Sequence, residues 1–163
     1  MADHGITNPM AAPIPQKVVL NMGIGEALKD KGVVEPLLKD LEVIAGQKPT
    51  PTKAKKSIAD YGLRKGDVVG LKVTLRRDRM WHFIDKLINI VLPRVKDFRG
   101  ISPTAFDAKG TYTLGVTELV VFPEIDATKV VKAKGFAITI TFSNGTKELT
   151  SDLMKRLGFI FKE

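Results

Sequence analysis

Two stretches of the chain place an apolar residue at every second position: Val69, Leu71, Val73 and Leu75 in one, Phe136, Ile138, Ile140 and Phe142 in the other. Side chains alternate across a strand, so each stretch reads as a half-buried strand with one face turned to a core. In the first, Lys72, Thr74 and Arg76 fall on the opposite, hydrogen-bonding face. A sheet made of such strands needs cover on one side only, and its other side stays open. Two more strands are expected, Lys17–Met22 and Thr111–Phe122, the latter with Gly115 as a candidate bulge.

Helical spacing supplies the cover. Val34, Leu37, Leu38, Leu41, Ile44 and Ala45 recur as one face of a helix, with Pro36 in its first turn and Gly46 at the C-cap position. Asp78 is placed to cap a second helix whose inner face is Trp81, Ile84, Leu87, Ile88 and Val91, ending before Pro93. Asn144-Gly145 turns the chain into a third, carrying Leu149, Leu153, Met154 and Leu157, with Gly158 beyond its end. Strands and helices intersperse without a regular βαβ rhythm. The expected fold class is therefore α+β, a two-layer domain with helices packed on one face of a mostly antiparallel sheet. Residues 1–15, with Pro9, Pro13 and Pro15, read as a flexible lead-in, and 16–163 as a single domain. The polar stretch Arg94–Gly110 is long enough to be a functional loop.

Composition narrows the function. The chain has 163 residues, 44% hydrophobic and 27% charged, as an ordinary globular protein does. It has no cysteine, which excludes disulfides, thiol catalysis and thiolate metal sites. No apolar run approaches the roughly 20 residues of a membrane helix. The polar, proline-bearing start lacks the plan of a secretory signal, so Asn144-Gly145-Thr146 is a chance sequon and a cytoplasmic location is expected.

Charge is unevenly placed. Residues 48–79 hold ten of the 26 Lys and Arg residues but three of the 18 acids, so this segment alone supplies +7 of the formal +8. A surplus gathered in one segment is an address for a polyanion. The cations are Lys48, Lys53, Lys55, Lys56, Arg64, Lys65, Lys72, Arg76, Arg77 and Arg79, with Gly66 between Lys65 and Asp67. Cations attract a phosphate backbone without discriminating, whereas uncharged bonding groups can discriminate. Asn21, Gln47 and Thr74 are such groups, at expected element ends or on the open strand face. Tyr61 is the one aromatic among these cations apart from those of the following helix, so recognition of folded RNA by shape and backbone is favoured over base stacking.

Other constellations are weak. Gly23-Ile24-Gly25 follows a strand, but position 28 is leucine where a dinucleotide fingerprint needs glycine, and no phosphate-loop Lys-Ser/Thr pair occurs. His4 and His82 have no ligand cluster around them, and neither supports a triad. Glu124 and Asp126 flank a proline-led turn and read as turn and cap groups. Nothing here supports an enzyme, and no metal or other cofactor is expected.

From about Pro15 to Lys162 the chain closely resembles the bacterial-type family of the large ribosomal subunit's fifth protein, the binder of 5S rRNA. The resemblance rests on ordered blocks: LNMGIGEA (20–27), IAGQKPTPTKAKKSIA (44–59), LRKGDVVGLKVTLR (63–76), RMWHFIDKL (79–87), PRVKDFRGIS (93–102), FDAKGTYTLGVTE (106–118), FPEID (122–126) and ITIT (138–141). It implies a structural component that holds 5S rRNA in the central protuberance, beside large-subunit rRNA and neighbouring large-subunit proteins. It also implies that Asn21, Gln47 and Thr74 recognise the RNA while Lys48, Lys53, Lys55, Lys72 and Arg76 grip phosphates. The loop Tyr61–Val68, through Arg64, Lys65 and Gly66, is implied to reach peptidyl-site tRNA. The loop Phe98–Tyr112, through Arg99, Phe106 and Lys109, is implied to meet a small-subunit head protein in an intersubunit bridge. No membrane and no small-molecule substrate are implied.

The chain departs from the family's pattern at three places. Its lead before the first strand is shorter, Arg77 replaces a usual glycine, and Thr117 stands where arginine is common. Two rival readings remain at this point: a free-standing RNA chaperone or translation factor using the same surface, and a nucleotide-dependent enzyme built on Gly23-Ile24-Gly25.

Overall fold

The period-two runs form strands and the 3.6-period runs form helices, in the order β1 (Ile14–Gly23), α1 (Val34–Ala45), β2 (Thr50–Lys53), β3 (Val68–Leu75), α2 (Arg77–Lys86), α3 (Leu92–Arg94), β4 (Tyr112–Val116), β5 (Phe136–Ser143) and α4 (Lys147–Arg156). This is a computed structural model, describing residues 8–25, 32, 34–126 and 134–162. The fold is α+β, and its five strands make one antiparallel sheet in the order β2-β3-β1-β5-β4. Among the described residues the chain divides into two compact units, one of 8–18, 76–114 and 138–162, the other of 19–25, 32, 34–75, 115–126 and 134–137.

In the second unit, Leu20, Met22, Leu71, Val73 and Leu75 are buried, as are Leu37, Leu41, Ile44 and Ala45 along one stripe of α1. α1 stops where the sequence places a C-cap: Gly46 takes a left-handed φ of 61° and its N–H bonds the Glu42 carbonyl at 2.8 Å. The first unit buries Met80, Phe83, Ile84, Leu87, Val91, Ile138, Ile140, Phe142 and Met154. Each such side chain contributes roughly 1.5–3 kcal/mol on removal from water. β5 alternates buried and half-buried residues along its whole length, and the alternation in β4 passes Gly115 without a slip of phase.

Four expectations need correction. β1 begins at Ile14, ahead of Lys17, because the fixed φ of Pro15 suits the opening of a strand. The strand expected over Thr111–Phe122 ends at Val116, and Leu119–Val121 form a 3-10 turn instead. β2 is an addition to the strands expected from the sequence. It lies at the edge of the sheet, the place where a strand tolerates proline.

The second helix differs most. Arg76 stands at its N-cap without a side-chain cap bond, and Asp78 lies within the first turn. The buried stripe runs through Met80, Phe83, Ile84, Leu87 and Val91, while Trp81 is 42% exposed. Trp81 lies at helical spacing from Ile84 and Ile88, and Met80 from Ile84 and Leu87, and only the side on which the core sits decides between them. The helix also passes Pro93 rather than stopping before it. Leu87–Val91 form a wide π turn, followed by the α-helical turn Leu92–Arg94. A wide turn just upstream relieves the clash and the missing N–H that proline brings to a regular helix.

Candidate nucleic-acid interface

The open face of the sheet is built by register. In the β2–β3 pair, Thr50 lies opposite Lys72 and Thr52 opposite Gly70. Directly opposed residues of an antiparallel pair share a face, so both threonines join the Lys72 side of β3. Gly70 is buried there, and only its missing side chain lets its neighbours come so close. A methyl group at its position would stand 2.8 Å from Thr52 Oγ1, 3.0 Å from the Met22 carbonyl oxygen and 3.9 Å from Asn21 Oδ1. Asn21 on β1, Gly70 on β3 and Thr52 on β2 therefore form a row across the sheet. Asn21 and Lys72 are exposed and Thr74 is half-buried.

Gln47 reaches the same region from the end of α1, where the left-handed Gly46 turns the chain. Its Nε2 donates to the Thr74 carbonyl at 3.4 Å. Asn21, Gln47, Lys72 and Thr74, dispersed in sequence, thus belong to one neighbourhood. Lys48, Lys53 and Lys55 are exposed before, at the end of and just past edge strand β2, and Arg76 is exposed just beyond β3. Sequence reasoning missed Thr50, Thr52 and Gly70. Thr50-Pro51-Thr52 has no apolar alternation to mark it as a strand.

The segment between β2 and β3 holds its own shape. Ile58 and Leu63 exchange backbone bonds of 2.9 and 3.1 Å around a 3-10 turn, Ala59–Tyr61, that ends at left-handed Gly62. Next, the Arg64 carbonyl accepts from Asp67 N–H at 3.1 Å, with Gly66 at φ 99° in the third position of the turn. A positive φ there is the requirement of a type II turn, which is why Gly66 follows Lys65. The Asp67 carboxylate accepts from Arg64 N–H at 2.8 Å, and Ser57 Oγ accepts from Lys65 N–H at 2.9 Å. With the backbone so fixed, Arg64, Lys65 and Tyr61 are all presented to solvent, Tyr61 at 76% exposure.

The stretch 98–112 is anchored too. Ile101 N–H bonds the Ile160 carbonyl at 2.7 Å, and Lys162 N–H bonds the Ile101 carbonyl at 2.9 Å. Phe106 packs its ring 4.6 Å from that of Tyr112 and 5.9 Å from that of Phe161, so much of it serves the loop's own anchoring. Tyr112 is buried, donates its hydroxyl to the Ser102 carbonyl at 2.8 Å, and has that hydroxyl's pKa pushed up to about 12 by burial. The Asp107 carboxylate accepts from Lys109 N–H at 2.9 Å and Thr111 N–H at 2.6 Å. Arg99 and Lys109 remain exposed.

The remaining sequence candidates fall into place as structure. Ile24 of Gly23-Ile24-Gly25 is a core residue whose N–H bonds the Val69 carbonyl at 3.0 Å, so the glycines mark the end of a strand. His82 is exposed on α2, Glu124 and Asp126 lie in the turn after Phe122, and His4 lies outside the described residues. Among the described residues no group of His, Asp and Glu could hold a metal ion, and no helix is long and apolar enough to cross a membrane.

Comparison with known proteins decides the family. Residues 8–64 match the model of ribosomal protein L5, and residues 68–161 match the model of that ribosomal family's C-terminus. The chain belongs to the ribosomal protein L5 family. It is 48% identical over 163 residues to the large ribosomal subunit protein uL5 of Anaeromyxobacter sp. (strain Fw109-5), covering all of this chain and 91% of the relative. The protein of the same name from Desulfotalea psychrophila is 50% identical over 159 residues, 98% of this chain and 89% of the relative. That of Brevibacillus brevis is 47% identical over 163 residues, with 100% and 91% covered. The L5 family is one of structural proteins rather than enzymes.

Proposed function

We propose that the chain is a structural constituent of the large subunit of the cytoplasmic ribosome and that the open face of its sheet binds 5S rRNA. The name borne by the relatives, large ribosomal subunit protein uL5, supports the first part. The observation that carries the second is the gathering of Asn21, Gln47, Lys72 and Thr74 into one neighbourhood, flanked by exposed Lys48, Lys53 and Lys55. Cations beside a duplex neutralise phosphates and release counterions, which gives attraction that weakens with salt. The amide and hydroxyl groups supply the fit, as direct bonds do in shape-based RNA recognition. The preorganised Tyr61–Val68 loop offers Arg64 and Lys65 to the tRNA bound at the peptidyl site. Arg99 and Lys109 offer cations to a small-subunit head protein.

The test separates these surfaces. Gln47→Leu and Thr74→Val each weaken 5S rRNA binding by about tenfold in gel-shift titrations, the worth of roughly one hydrogen bond, with an unchanged circular dichroism spectrum. Affinity equal to that of the unmodified chain in both variants would refute the reading of this face. Arg64→Ala with Lys65→Ala keeps 5S rRNA affinity and weakens tRNA binding to reconstituted ribosomes. Loss of 5S rRNA affinity in that double variant would show that the two surfaces are one.

A further inference from the structure

We infer that the exposed face of α2 is a second RNA contact, in which the Trp81 indole stacks on an unpaired base and Arg77 meets the phosphate beside it. This rests on the reading of the chain as a binder of ribosomal RNA, and it lies outside the sheet face that carries that reading. It adds an aromatic chemistry that the sheet face does not use.

Two misfits on one helix point to it. α2 buries Met80, Phe83 and Ile84, yet Trp81, the only tryptophan of the chain, stands 42% exposed. The second misfit is at the helix start. Arg77 has φ +52°, a region that strains any residue with a β-carbon, and its charge opposes the positive end of the helix dipole. Arg76 and Arg79 are exposed alongside it, with Asp78 the one acid of that turn. Arg79 is engaged within the chain, whereas among the described residues the Arg77 guanidinium and the Trp81 indole have no hydrogen bond, ion pair or ring contact. Backbone strain and charge repulsion held without an internal partner mark a place that answers to a ligand.

Chemistry picks the ligand. Long side chains of a helix lean toward its N-terminus, so the indole approaches the turn that Arg77 opens, four positions earlier and about 6 Å along the axis. A flat aromatic surface next to guanidinium groups matches a nucleotide, which carries a π-face and a phosphate within a few bonds of each other. An acidic peptide would satisfy the arginines and leave the indole unmatched. An apolar partner would cover the indole and bury the arginines, at the positive end of a helix, without a counter-charge. A base inside a duplex already has both faces stacked, so the nucleotide that Trp81 takes is an unpaired one.

The experiment uses the full chain and a single-stranded oligoadenylate of about ten nucleotides, which offers bases without a duplex for the sheet face to read. Because Trp81 is the only tryptophan, its emission reports on this face alone. The oligoadenylate is expected to quench that emission saturably, while an oligoglutamate of equal charge leaves it unchanged. Trp81→Leu should bind labelled oligoadenylate at least about fivefold more weakly, the low end for a lost base stack, and Trp81→Phe within about threefold of the unmodified chain. Arg77→Gly and Arg77→Ala should both lower the slope of log affinity against log salt by about 0.7, the share of one phosphate contact on a single strand. An equal loss in two variants of unequal melting temperature follows the charge and not the folding. Unchanged emission with oligoadenylate, or a Trp81→Leu affinity equal to that of the unmodified chain, overturns the inference. Equal quenching by oligoglutamate also overturns it, in favour of a protein partner. A parallel gel-shift titration with 5S rRNA tells the two failures apart. If 5S rRNA binds while oligoadenylate leaves Trp81 unquenched, only the α2 contact is wrong; if neither RNA binds, the reading on which it rests fails as well.

Discussion

Arg77 sits in a backbone conformation that suits another residue. Its φ is +52°, in the left-handed region, at the first residue of α2, and its side chain is exposed. For an L-residue with a β-carbon that region costs roughly 1–2 kcal/mol, while glycine enters it freely. Glycine in turn loses about 0.5–1 kcal/mol through its greater freedom in the unfolded chain. The balance leaves Arg77→Gly more stable than Arg77→Ala by about 1 kcal/mol, which for a chain of this length is a rise in melting temperature of about 2–4 °C. Alanine is the proper reference, because a cation at a helix N-terminus opposes the macrodipole and either substitution removes it. Comparing the two isolates the backbone. The assay is thermal unfolding followed by circular dichroism in one buffer, with urea midpoints as a second measure. A glycine variant that melts at or below the alanine variant would refute the claim that Arg77 is held under strain.

A methyl group at Gly110 would run into the Thr150 hydroxyl and the Thr146 carbonyl, at a residue with φ +72°. Gly110→Ala should lose about 2 kcal/mol or more in urea unfolding, whereas Gly115→Ala, with nothing within 4 Å, should stay within about 0.5 kcal/mol. Equal losses at the two sites would contradict the crowding described around Gly110. The Tyr112 hydroxyl titrates near 10 in an unfolded chain and at about 12 in this fold, so the stability tied to its proton is complete below pH about 10. It drains away as pH rises from about 10 to about 12, by about 2 kcal/mol at the upper end. Tyr112→Phe, which gives up the 2.8 Å bond to Ser102, should be less stable by about 1 kcal/mol near neutrality yet lose less on the way to alkaline pH. Parallel stability profiles for the two proteins between about pH 9 and about pH 12 would rule out Tyr112 as the source.

Much of the outcome was legible in the residues. The alternation in 69–75 and 136–142 and the stripe in α1 determined their elements, because period two and period 3.6 each admit one conformation that buries every apolar residue on one side. Gly46 likewise announced a left-handed turn at the end of α1, since few other residues adopt that φ at little cost. The ordered blocks pointed to the family that the comparison found. What the residues alone left open was whatever depends on a partner distant in sequence. Trp81 and Met80 both lie at helical spacing from Ile84, and only the position of the core turns one outward and the other in. Thr50-Pro51-Thr52 has no apolar alternation of its own and becomes a strand only when β3 offers it a ladder at the sheet's edge. The open face shows the same division. Its cations and its uncharged bonding groups can be read along the chain, but the row of Asn21, Gly70 and Thr52 exists only through cross-strand register, which no single segment specifies.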